Sequence, residues 1–485
     1  MAAIAKRLAA QQTPGRFPTA LDCNLGIEGH GVDPDIEFID DPGKMRNGND
    51  PQLDAAVEQL LKEIKSDGYE KPGRSECPDR SKGVGLAEEN KSLIKGASLM
   101  KSKKRFNIVL LQAVLLSQFL LPASLLIAQG QIQDAKPQVA GFDQADLDKF
   151  AKRLDSAHER RLVSGTVLIA VDGKIVFEKS VGYSNVNDKT PLAENSSYRL
   201  ASVGKQFTAM GIMMLKEDGK LDFDDDITKH LPKLPYKGIT IRHLLHHNGG
   251  LPDYMDLFDL HWDKEESDLS KKKTAFNKDL VDLFAEHHPD PDFVAGKRYQ
   301  YSNTGYVLLG SIIESASGMT IHDFLNTRIF EPLNMTDSSA FSPNAEVFKP
   351  ANRVFGFAYQ GDGSSVDNDW HYLNGMVGDG GIYASARDLL KWDQALYGEE
   401  LVSQTTLAEA FTSGKLNSGK ETGYGFGWVV ERSKNKGLAV SHGGLWVGFR
   451  TSIERQVDRR LTVIVLSNNS TSNLDQVLQA IEELQ

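Results

Sequence analysis

Cysteine is almost absent from this chain of 485 residues, which contains only Cys23 and Cys77. Two cysteines exclude a disulfide scaffold and a four-cysteine zinc site. The chain also has no excess of positive charge, since it contains 55 lysines and arginines and 66 aspartates and glutamates. The net charge of −11 argues against a general nucleic-acid binder, which needs a basic surface for the phosphates. The sequence also lacks an internal repeat of solenoid length.

The remaining composition is typical of a folded protein. Hydrophobic residues make up 40 % of the chain and charged residues 25 %, which excludes a wholly disordered chain. A length of 485 residues suits two to three domains, or one large domain with additional segments.

One long apolar segment divides the sequence. Residues 106–128 run for 23 positions without a charge, directly after the basic cluster 101–105. About 20 apolar residues cross a bilayer and a basic flank stays in the cytoplasm, so the following chain is predicted to be exported, periplasmic or extracellular. Residues 100–130 are predicted to form a signal peptide that starts at Met100, or an uncleaved membrane anchor. A buried core helix is the third alternative.

Residues 1–99 give no prediction of function. Glycine, proline and aspartate are frequent there, which is typical of turns or disorder, and one amphipathic helix is predicted over 53–65. The two cysteines lack a nearby metal-binding partner, so a metal site is not expected. The sequence therefore predicts an uncharacterised, partly disordered region over 1–99 and a globular domain over 141–485.

The strand and helix patterns of this domain predict one α/β unit. Its predicted strands are Gly165–Val171, Lys174–Val181, 438–446, 449–455 and Leu461–Ser467, with a hairpin turn at Asp172 and Gly173. Helices are predicted over 145–162 and over 474–484, the second with Ser472 as its N-cap. The fold class is thus α/β, or α+β, with an antiparallel sheet built from both ends of the domain and flanked by helices. A mainly helical subdomain is predicted over 220–400.

The first candidate for chemistry is Ser202, followed three residues later by Lys205. A serine hydroxyl needs a base or a cation to become a nucleophile, and a lysine one helical turn on shares its face. The pattern recurs at Ser92/Lys95, Ser98/Lys101, Ser270/Lys273 and Ser433/Lys436. Only Ser202 follows predicted strands and opens an apolar helix, whose N-terminus favours an anionic oxygen. Ser202 is therefore the candidate among the five pairs, although the pattern alone does not establish a nucleophile.

A second pattern is Tyr301-Ser302-Asn303. A nearby ammonium can lower the pKa of a phenol toward that of a base, and an amide can bind a substrate amide. Similar triplets at 183–185 and 372–374 are interpreted as structural and as cleft-lining, respectively.

A third pattern is His442-Gly443-Gly444, inside a predicted strand. Paired glycines in a strand indicate a β-bulge or a close backbone approach. Two interpretations follow: a bulge with a solvent-facing histidine, or a strand edge on which a substrate backbone docks.

In this order the three patterns resemble the motifs of the serine β-lactamase and penicillin-binding superfamily. The resemblance is to its class C-related branch, with the D-Ala-D-Ala carboxypeptidases, the D-aminopeptidases and the family VIII-type esterases. Longer stretches at 239–253, 301–310 and 380–392 are similar as well. The resemblance covers residues 141–485 and none of residues 1–99, and it implies a β-lactamase/transpeptidase-like fold.

The resemblance also implies a role for each residue. Ser202 would attack a carbonyl and form an acyl-enzyme, while Lys205 and Tyr301 would accept its proton and later activate water. The backbone N–H groups of Ser202 and Leu445 would hold the oxyanion. The substrate would be positioned by Asn303, His442, Gly443 and Gly444. No cofactor and no metal are implied.

The third motif departs from the Lys-Thr-Gly of penicillin-hydrolysing members. His442 and Gly443 replace the lysine and the hydroxyl residue, which should weaken binding of a substrate carboxylate. Action on a D-amino peptide or a small ester is therefore expected more than β-lactamase activity. The expected partners are a small-molecule or peptide substrate, with cell-wall peptide among them, and the membrane if 106–128 stays uncleaved; nucleic acid is not expected. The alternative function is a catalytically weak relative that binds peptidoglycan or a partner protein.

Two groups of histidines lie outside these three patterns. His243, His246 and His247 include spacings that suit zinc, but no third ligand is fixed nearby, and the resembled family uses this segment structurally. His287 and His288 are predicted to cap a helix end.

Overall fold

The computed structural model describes residues 141–262, 274–341, 350 and 352–484. The region 1–99, its predicted helix at 53–65 and the predicted signal or anchor over 100–130 lie outside the described residues. Within the described part of the chain, no helix combines the length and the apolar character needed to cross a membrane.

The strands and helices of the domain are numbered here in chain order. The strands are β1 (Gly165–Val171), β2 (Lys174–Val181), β3 (Tyr183–Asn185), β4 (Thr190–Pro191), β5 (Tyr198–Arg199), β6 (Ser339–Ala340), β7 (Phe357–Tyr359), β8 (Ser365–Asp367), β9 (Ile382–Ala384), β10 (Val429–Ser433), β11 (Gly437–Trp446), β12 (Phe449–Gln456) and β13 (Leu461–Ser467). The α-helices are α1 (Gln144–Glu159), α2 (Lys205–Glu217), α3 (Ile241–Leu245), α4 (Tyr254–His261), α5 (Asn277–His287), α6 (Asn303–Ser317), α7 (Ile321–Leu325), α8 (Ala386–Ala395), α9 (Gln404–Ala410) and α10 (Leu474–Glu482). Shorter helical turns lie at Ala201–Gly204, Ile227–Lys229, Asn326–Phe330, Tyr372–Asn374 and Val457–Arg459.

A six-stranded antiparallel sheet, in the order β10-β11-β12-β13-β1-β2, forms the frame of the domain. Strands from the two ends of the domain are neighbours in it, since β1 pairs with β13 from Gly165↔Ser467 to Val171↔Leu461. The β1–β2 turn has positive φ at Asp172 and Gly173, as a two-residue hairpin requires. The predicted antiparallel sheet built from both chain ends is thus confirmed.

Two hydrophobic cores cover the two faces of this sheet. Successive side chains of a strand point to opposite faces, and β1 follows this rule. Val167 and Ile169 pack in the smaller core with residues of α1 and α10, whereas Leu168 and Ala170 join the larger core. Burying one such aliphatic side chain contributes about 1.5–3 kcal/mol. The larger core also contains residues of α2 and α6, the helices that carry the site described below.

The two terminal helices are confirmed with small differences at their ends. Helix α1 ends at Glu159 instead of at 162. The prediction of Ser472 as the N-cap of α10 is wrong, because Asn473 is the cap and its side chain accepts the Gln476 N–H at 3.3 Å. The Ser472 hydroxyl is instead buried against the Ser467 hydroxyl at 2.9 Å. Serine and asparagine are both common N-cap residues, so the orientation of the two side chains in the fold decides which of them caps α10.

The region between the terminal strands is mainly helical, with α3 to α9 and short strands between them. Three of these short strands form a small sheet in the order β5-β9-β6, which the sequence did not predict. Tyr198 and Arg199 pair there with Ala384 and Tyr383. This small sheet supports the chain immediately before Ser202.

Candidate active site

Ser202 lies in a 3₁₀ turn, Ala201–Gly204, that leads directly into α2. The residue before it, Ala201, has a left-handed φ of 49°, which costs an L-residue about 1–2 kcal/mol. Two hydrogen bonds hold this backbone in place. The Leu200 N–H donates to the Ile382 carbonyl at 2.8 Å, and the Thr451 hydroxyl donates to the Leu200 carbonyl at 2.6 Å. The position of Ser202 is therefore set by β9 and β12.

Lys205 begins α2 and is fully buried. Its Nζ donates to the Ser202 Oγ at 3.2 Å, to the Asn303 Oδ1 at 2.8 Å and to the main-chain oxygen of Asp379 at 2.9 Å. Burial lowers the pKa of Lys205 to about 8, although the charge of Asp379 acts to raise it. At pH 7 about a tenth of the Lys205 side chains are therefore neutral and able to accept a proton.

Tyr301 and Asn303 reach the same point from the start of α6, whose N-cap is Ser302. The Tyr301 ring centre lies 4.9 Å from the Lys205 Nζ. Burial raises the pKa of the Tyr301 phenol, and its hydrogen bond with Ser202 opposes this only in part. The residue keeps 39 % of its surface exposed, so solvent screens some of this effect. The direction is nevertheless opposite to the lowering expected from the sequence, and the phenol is protonated at neutral pH.

His442 lies on β11 and is buried, so the interpretation as a solvent-facing histidine is wrong. Its Nδ1 is 2.6 Å from the Gly443 carbonyl oxygen, and its Nε2 is 2.9 Å from the Tyr424 hydroxyl. Because a carbonyl only accepts, we assign the ring proton to Nδ1, and Nε2 accepts from Tyr424. Burial and the charge of Lys205 lower the pKa of His442 to about 3. The imidazole is thus neutral at pH 7.

Neither glycine after His442 forms a bulge, and one of them, Gly444, permits a close approach. Strand β11 pairs with β12 without interruption through this stretch. A Cβ atom on Gly444 would lie 2.3 Å from the Leu200 carbonyl oxygen, whereas one on Gly443 would meet no atom closer than 3.8 Å. Gly444 therefore allows the strand to pack against the segment that precedes Ser202.

The same half of β11 has a free edge. Strand β10 pairs with β11 only as far as Ser441. Beyond that residue, no described strand pairs with 442–446 on the β10 side. Leu445 is 61 % exposed there. This geometry suits an extended substrate that adds to the strand edge.

A cleft of about 350 Å³ opens beside Ser202. Its lining includes Arg199, Ser202, Asn303, Asp379, Leu445 and Trp446. Of the sequence-predicted site residues, Ser202, Asn303 and Leu445 line this cleft. Lys205 and Tyr301 lie behind and beside the nucleophile, and the ring of His442 is 6.1 Å from that of Tyr301. The structure thus brings all three sequence patterns together.

Three residues of the site were not identified from the sequence. The Asp379 main chain binds Lys205, and its carboxylate accepts the Tyr254 hydroxyl at 3.1 Å. Asp379 lies in a glycine-rich stretch, 375–381, that directly follows the triplet interpreted as cleft-lining from the sequence, so the sequence held a usable signal. No sequence signal identifies Arg199 or Tyr424, because a single arginine or tyrosine is recognised as a site residue only from its neighbours in the fold.

The repeated patterns elsewhere have structural roles where they are described. The Ser433 Oγ accepts the Lys436 N–H at 3.0 Å in an exposed turn. The triplet 183–185 forms β3, while in 372–374 the Asn374 side chain accepts the Trp446 indole N–H at 2.8 Å beside the cleft. The pairs at Ser92, Ser98 and Ser270 lie outside the described residues.

The three clustered histidines have separate partners. His243 forms a capping box at the start of α3. His246 Nδ1 is bonded to the Tyr424 carbonyl at 2.9 Å, and His247 Nδ1 accepts the Ser302 N–H at 3.1 Å. Across the described ranges, no group of three histidine, cysteine or acidic side chains is placed to hold a metal ion.

The predicted helix cap at the other histidine pair is confirmed. His287 ends α5, and His288 follows it as the C-cap in the left-handed conformation. The N–H of His288 bonds the Phe284 carbonyl at 3.1 Å.

Three comparisons with known proteins extend these observations. The family profile described as Beta-lactamase matches residues 144–485. Penicillin-binding protein 4* of Bacillus subtilis (strain 168) is 39 % identical over 336 residues, which are 67 % of this chain and 73 % of that protein. A D-aminopeptidase of Gluconobacter oxydans (strain 621H) is 25 % identical over 67 % of this chain, which spans only 60 % of that enzyme.

A solved structure agrees with them. The D-amino acid amidase from Ochrobactrum anthropi SV3, complexed with L-phenylalanine amide, is 27 % identical with a TM-score of 0.57. The match covers 70 % of this chain and 99 % of that one. With a family match over residues 144–485 and a relative at 39 % identity, the chain belongs to the beta-lactamase family of serine hydrolases.

Proposed function

We propose that this chain hydrolyses an amide or ester bond through an acyl-enzyme formed on Ser202. The observation that carries the proposal is the hydrogen bonding of the buried Lys205 Nζ, which contacts both the Ser202 hydroxyl and Asn303. A lysine whose pKa is lowered to about 8 is matched to proton transfer near neutral pH.

Acylation would begin when the Ser202 Oγ attacks the carbonyl carbon of the substrate. The Oγ proton passes to neutral Lys205, directly or through the Tyr301 hydroxyl. The bond to the leaving group then breaks, and the departing amine or alcohol takes this proton from Lys205, directly or through the Tyr301 hydroxyl. Ser202 is left as an ester, and Lys205 is neutral again.

Deacylation repeats these steps with water as the nucleophile. Water gives its proton to Lys205 as its oxygen attacks the ester, and the Ser202 oxygen regains a proton as the acid leaves. The backbone N–H groups of Ser202 and Leu445 are proposed to bind the oxyanion in both steps. Each such donor contributes about 3 kcal/mol to the transition state.

The proposed substrate is a D-amino peptide, a D-amino amide or a small ester. Two comparisons support the first two classes: a D-aminopeptidase is among the relatives, and nearly the whole chain of a D-amino acid amidase is covered. Efficient β-lactam hydrolysis is disfavoured, because His442 is neutral and Gly443 lacks a hydroxyl group. Rapid turnover of a chromogenic cephalosporin would contradict this part of the proposal.

Intact mass of the full chain after incubation with a fluorophosphonate tests the proposal. One stoichiometric adduct is expected in the wild type and in Ser433→Ala, and none in Ser202→Ala. Ser433→Ala is the matched control, because it alters a serine with the same spacing to a lysine. No adduct on a folded wild type would reject the hydrolase and favour the alternative, a protein that binds peptidoglycan or a partner without turnover.

We also propose that the domain acts outside the cytoplasm, in the periplasm or the extracellular space. The support is the sequence alone: 23 uncharged residues over 106–128 follow a basic cluster. Fractionation of the producing cells, with N-terminal sequencing of the product, separates the alternatives. A soluble exported product that begins near residue 130 indicates a signal peptide, a membrane-bound product an anchor, and a cytoplasmic product refutes the proposal.

A further inference from the structure

Arg199, three residues before Ser202, is a buried cation without a carboxylate partner. It lies on β5 and is only 3 % exposed. Among the described residues, its one hydrogen bond runs from Nη2 to the Asn374 main-chain oxygen at a long 3.4 Å, and Nε and Nη1 have no acceptor. An unpaired buried charge is costly, so such a group in a cleft calls for an explanation.

Two other arginines of this domain show what a structural role looks like. Arg455 is fully buried, and its guanidinium forms an ion pair with the Asp393 carboxylate. Arg353 pairs in the same way with Asp369. In the described part of the chain, no acidic group lies within ion-pair distance of Arg199. The lack of a carboxylate partner therefore distinguishes it from the arginines that stabilise the fold.

The charges around the cleft point to the group that is missing. Asp379 is the one acidic side chain in the described lining of the cleft, and burial raises its pKa. Its carboxylate interacts electrostatically with both Arg199 and Lys205. The nearby imidazoles add no further positive charge, because burial and Lys205 lower the pKa of both His247 and His442. While Lys205 is protonated, the carboxylate of Asp379 can balance only one of the two cations. A guanidinium with free donors binds a carboxylate in two-point geometry.

The position of the cleft indicates which part of the substrate carries that charge. The departing group must receive a proton from Lys205 or Tyr301, so it leaves on their side of Ser202. The cleft containing Arg199 is lined by Asn303, Asp379 and Trp446, and neither Tyr301 nor Lys205 contributes to it. It is therefore the place for the acyl group.

We propose that Arg199 binds a carboxylate on the acyl group of the substrate, so that this enzyme acts on acidic acyl donors. The inference rests on the proposed function and adds a substrate class to it. Arg199 is in this view a residue that determines specificity.

Matched substrates test the proposal with the full chain. We would compare the p-nitroanilides of N-acetyl-D-glutamate and N-acetyl-D-glutamine, which have nearly the same shape and differ in one charge. The wild type is expected to show a kcat/KM at least about tenfold higher for the glutamate compound, as expected for a charge-assisted hydrogen bond. Their inhibition constants against p-nitrophenyl acetate hydrolysis give the same ratio if the anilides turn over slowly. A ratio near one in the wild type overturns the inference without any variant.

Variants then assign the preference to Arg199. In Arg199→Gln the ratio is expected to fall to near one, and in Arg199→Lys to remain partly above one. Since the ratio is measured within each folded variant, a merely structural role would lower both rates and leave the ratio unchanged, which would also overturn the inference. Fluorophosphonate labelling separates the two levels of failure: an adduct without an acidic preference rejects only this inference, while no adduct on a folded wild type rejects the proposed function with it.

Discussion

Two serine–lysine pairs with the same spacing end up in opposite environments. Lys205 is fully buried and bonded to the Ser202 hydroxyl, and burial lowers its pKa to about 8. Lys436 lies at the surface. Burial acts to lower its pKa too, but its hydrogen bonds with Glu482 and Glu454 outweigh this and raise the pKa. Ser433 uses its oxygen to accept the Lys436 main-chain N–H instead of meeting the ammonium.

The difference shows that spacing alone does not activate a serine. Both pairs place lysine three residues after serine, yet only one lysine is removed from water and held without a carboxylate contact at its Nζ. Desolvation shifts an amine toward its neutral form, whereas ion pairs keep it charged. Four experiments test this account.

The largest difference between the two pairs is expected in kcat when each lysine is replaced by methionine. Lys205→Met is expected to lower kcat about a thousandfold, because the proton acceptor is lost, whereas Lys436→Met should leave kcat unchanged. Steady-state hydrolysis of p-nitrophenyl acetate measures both. Unfolding curves for the two variants verify that each is folded. Equal activity of folded Lys205→Met and wild type would show that another group accepts the proton.

The two adjacent glycines of β11 offer the next test. In Gly444→Ala the new Cβ would collide with the Leu200 carbonyl, so the Ser202 turn must shift. We expect a loss of about 1–3 kcal/mol of stability and a slower fluorophosphonate reaction. Gly443→Ala is the control, since its Cβ would meet nothing closer than 3.8 Å. Identical labelling rates in the two variants would contradict this account of the close approach.

The pH profile of kcat/KM tests whether neutral Lys205 is the base. If neutral Lys205 is the base, kcat/KM rises with pH and levels off above about 8, the pKa of that residue. Between pH 7 and pH 9 the neutral fraction grows about tenfold, and the rate should follow it. Lys436→Met should give the same curve. A profile that is flat or falls over this range would exclude Lys205 as the base.

The smallest effect is expected at the surface pair. Lys436 is 32 % exposed, and its two partners are 26 % and 58 % exposed, so solvent screens both ion pairs. Lys436→Gln should therefore change the free energy of unfolding by less than about 1 kcal/mol. Urea denaturation measures this change. A larger loss would mean that the exposed pair is a structural anchor.

The sequence predicted the strands better than the surroundings of the site. The bounds of β1, β2 and β13 are as predicted, because alternating or continuous apolar runs end there at clear turn signals such as Asp172 and Gly173. The small sheet of β5, β9 and β6 was missed. Its strands are two or three residues long, too short to show a period.

The site residues that belong to short sequence motifs could be predicted from the sequence. Ser202, Lys205, Tyr301 and Asn303 meet as expected, because each pattern lies at the start of a helix. The pKa direction of Tyr301 was not predictable, since it depends on how deeply the phenol is buried. Arg199, by contrast, becomes notable only once the fold shows that it has no carboxylate partner.

The pairing of β1 with β13 also governs how the chain is built. The hydrogen bond between the side chains of Ser164 and Asn468, beside that pair, joins residues 304 positions apart. During synthesis β1 emerges long before its neighbour exists, so its edge stays open until the last strand is made. Contacts of such sequence separation slow folding. The central sheet of this domain therefore closes only after the last strand has been synthesised.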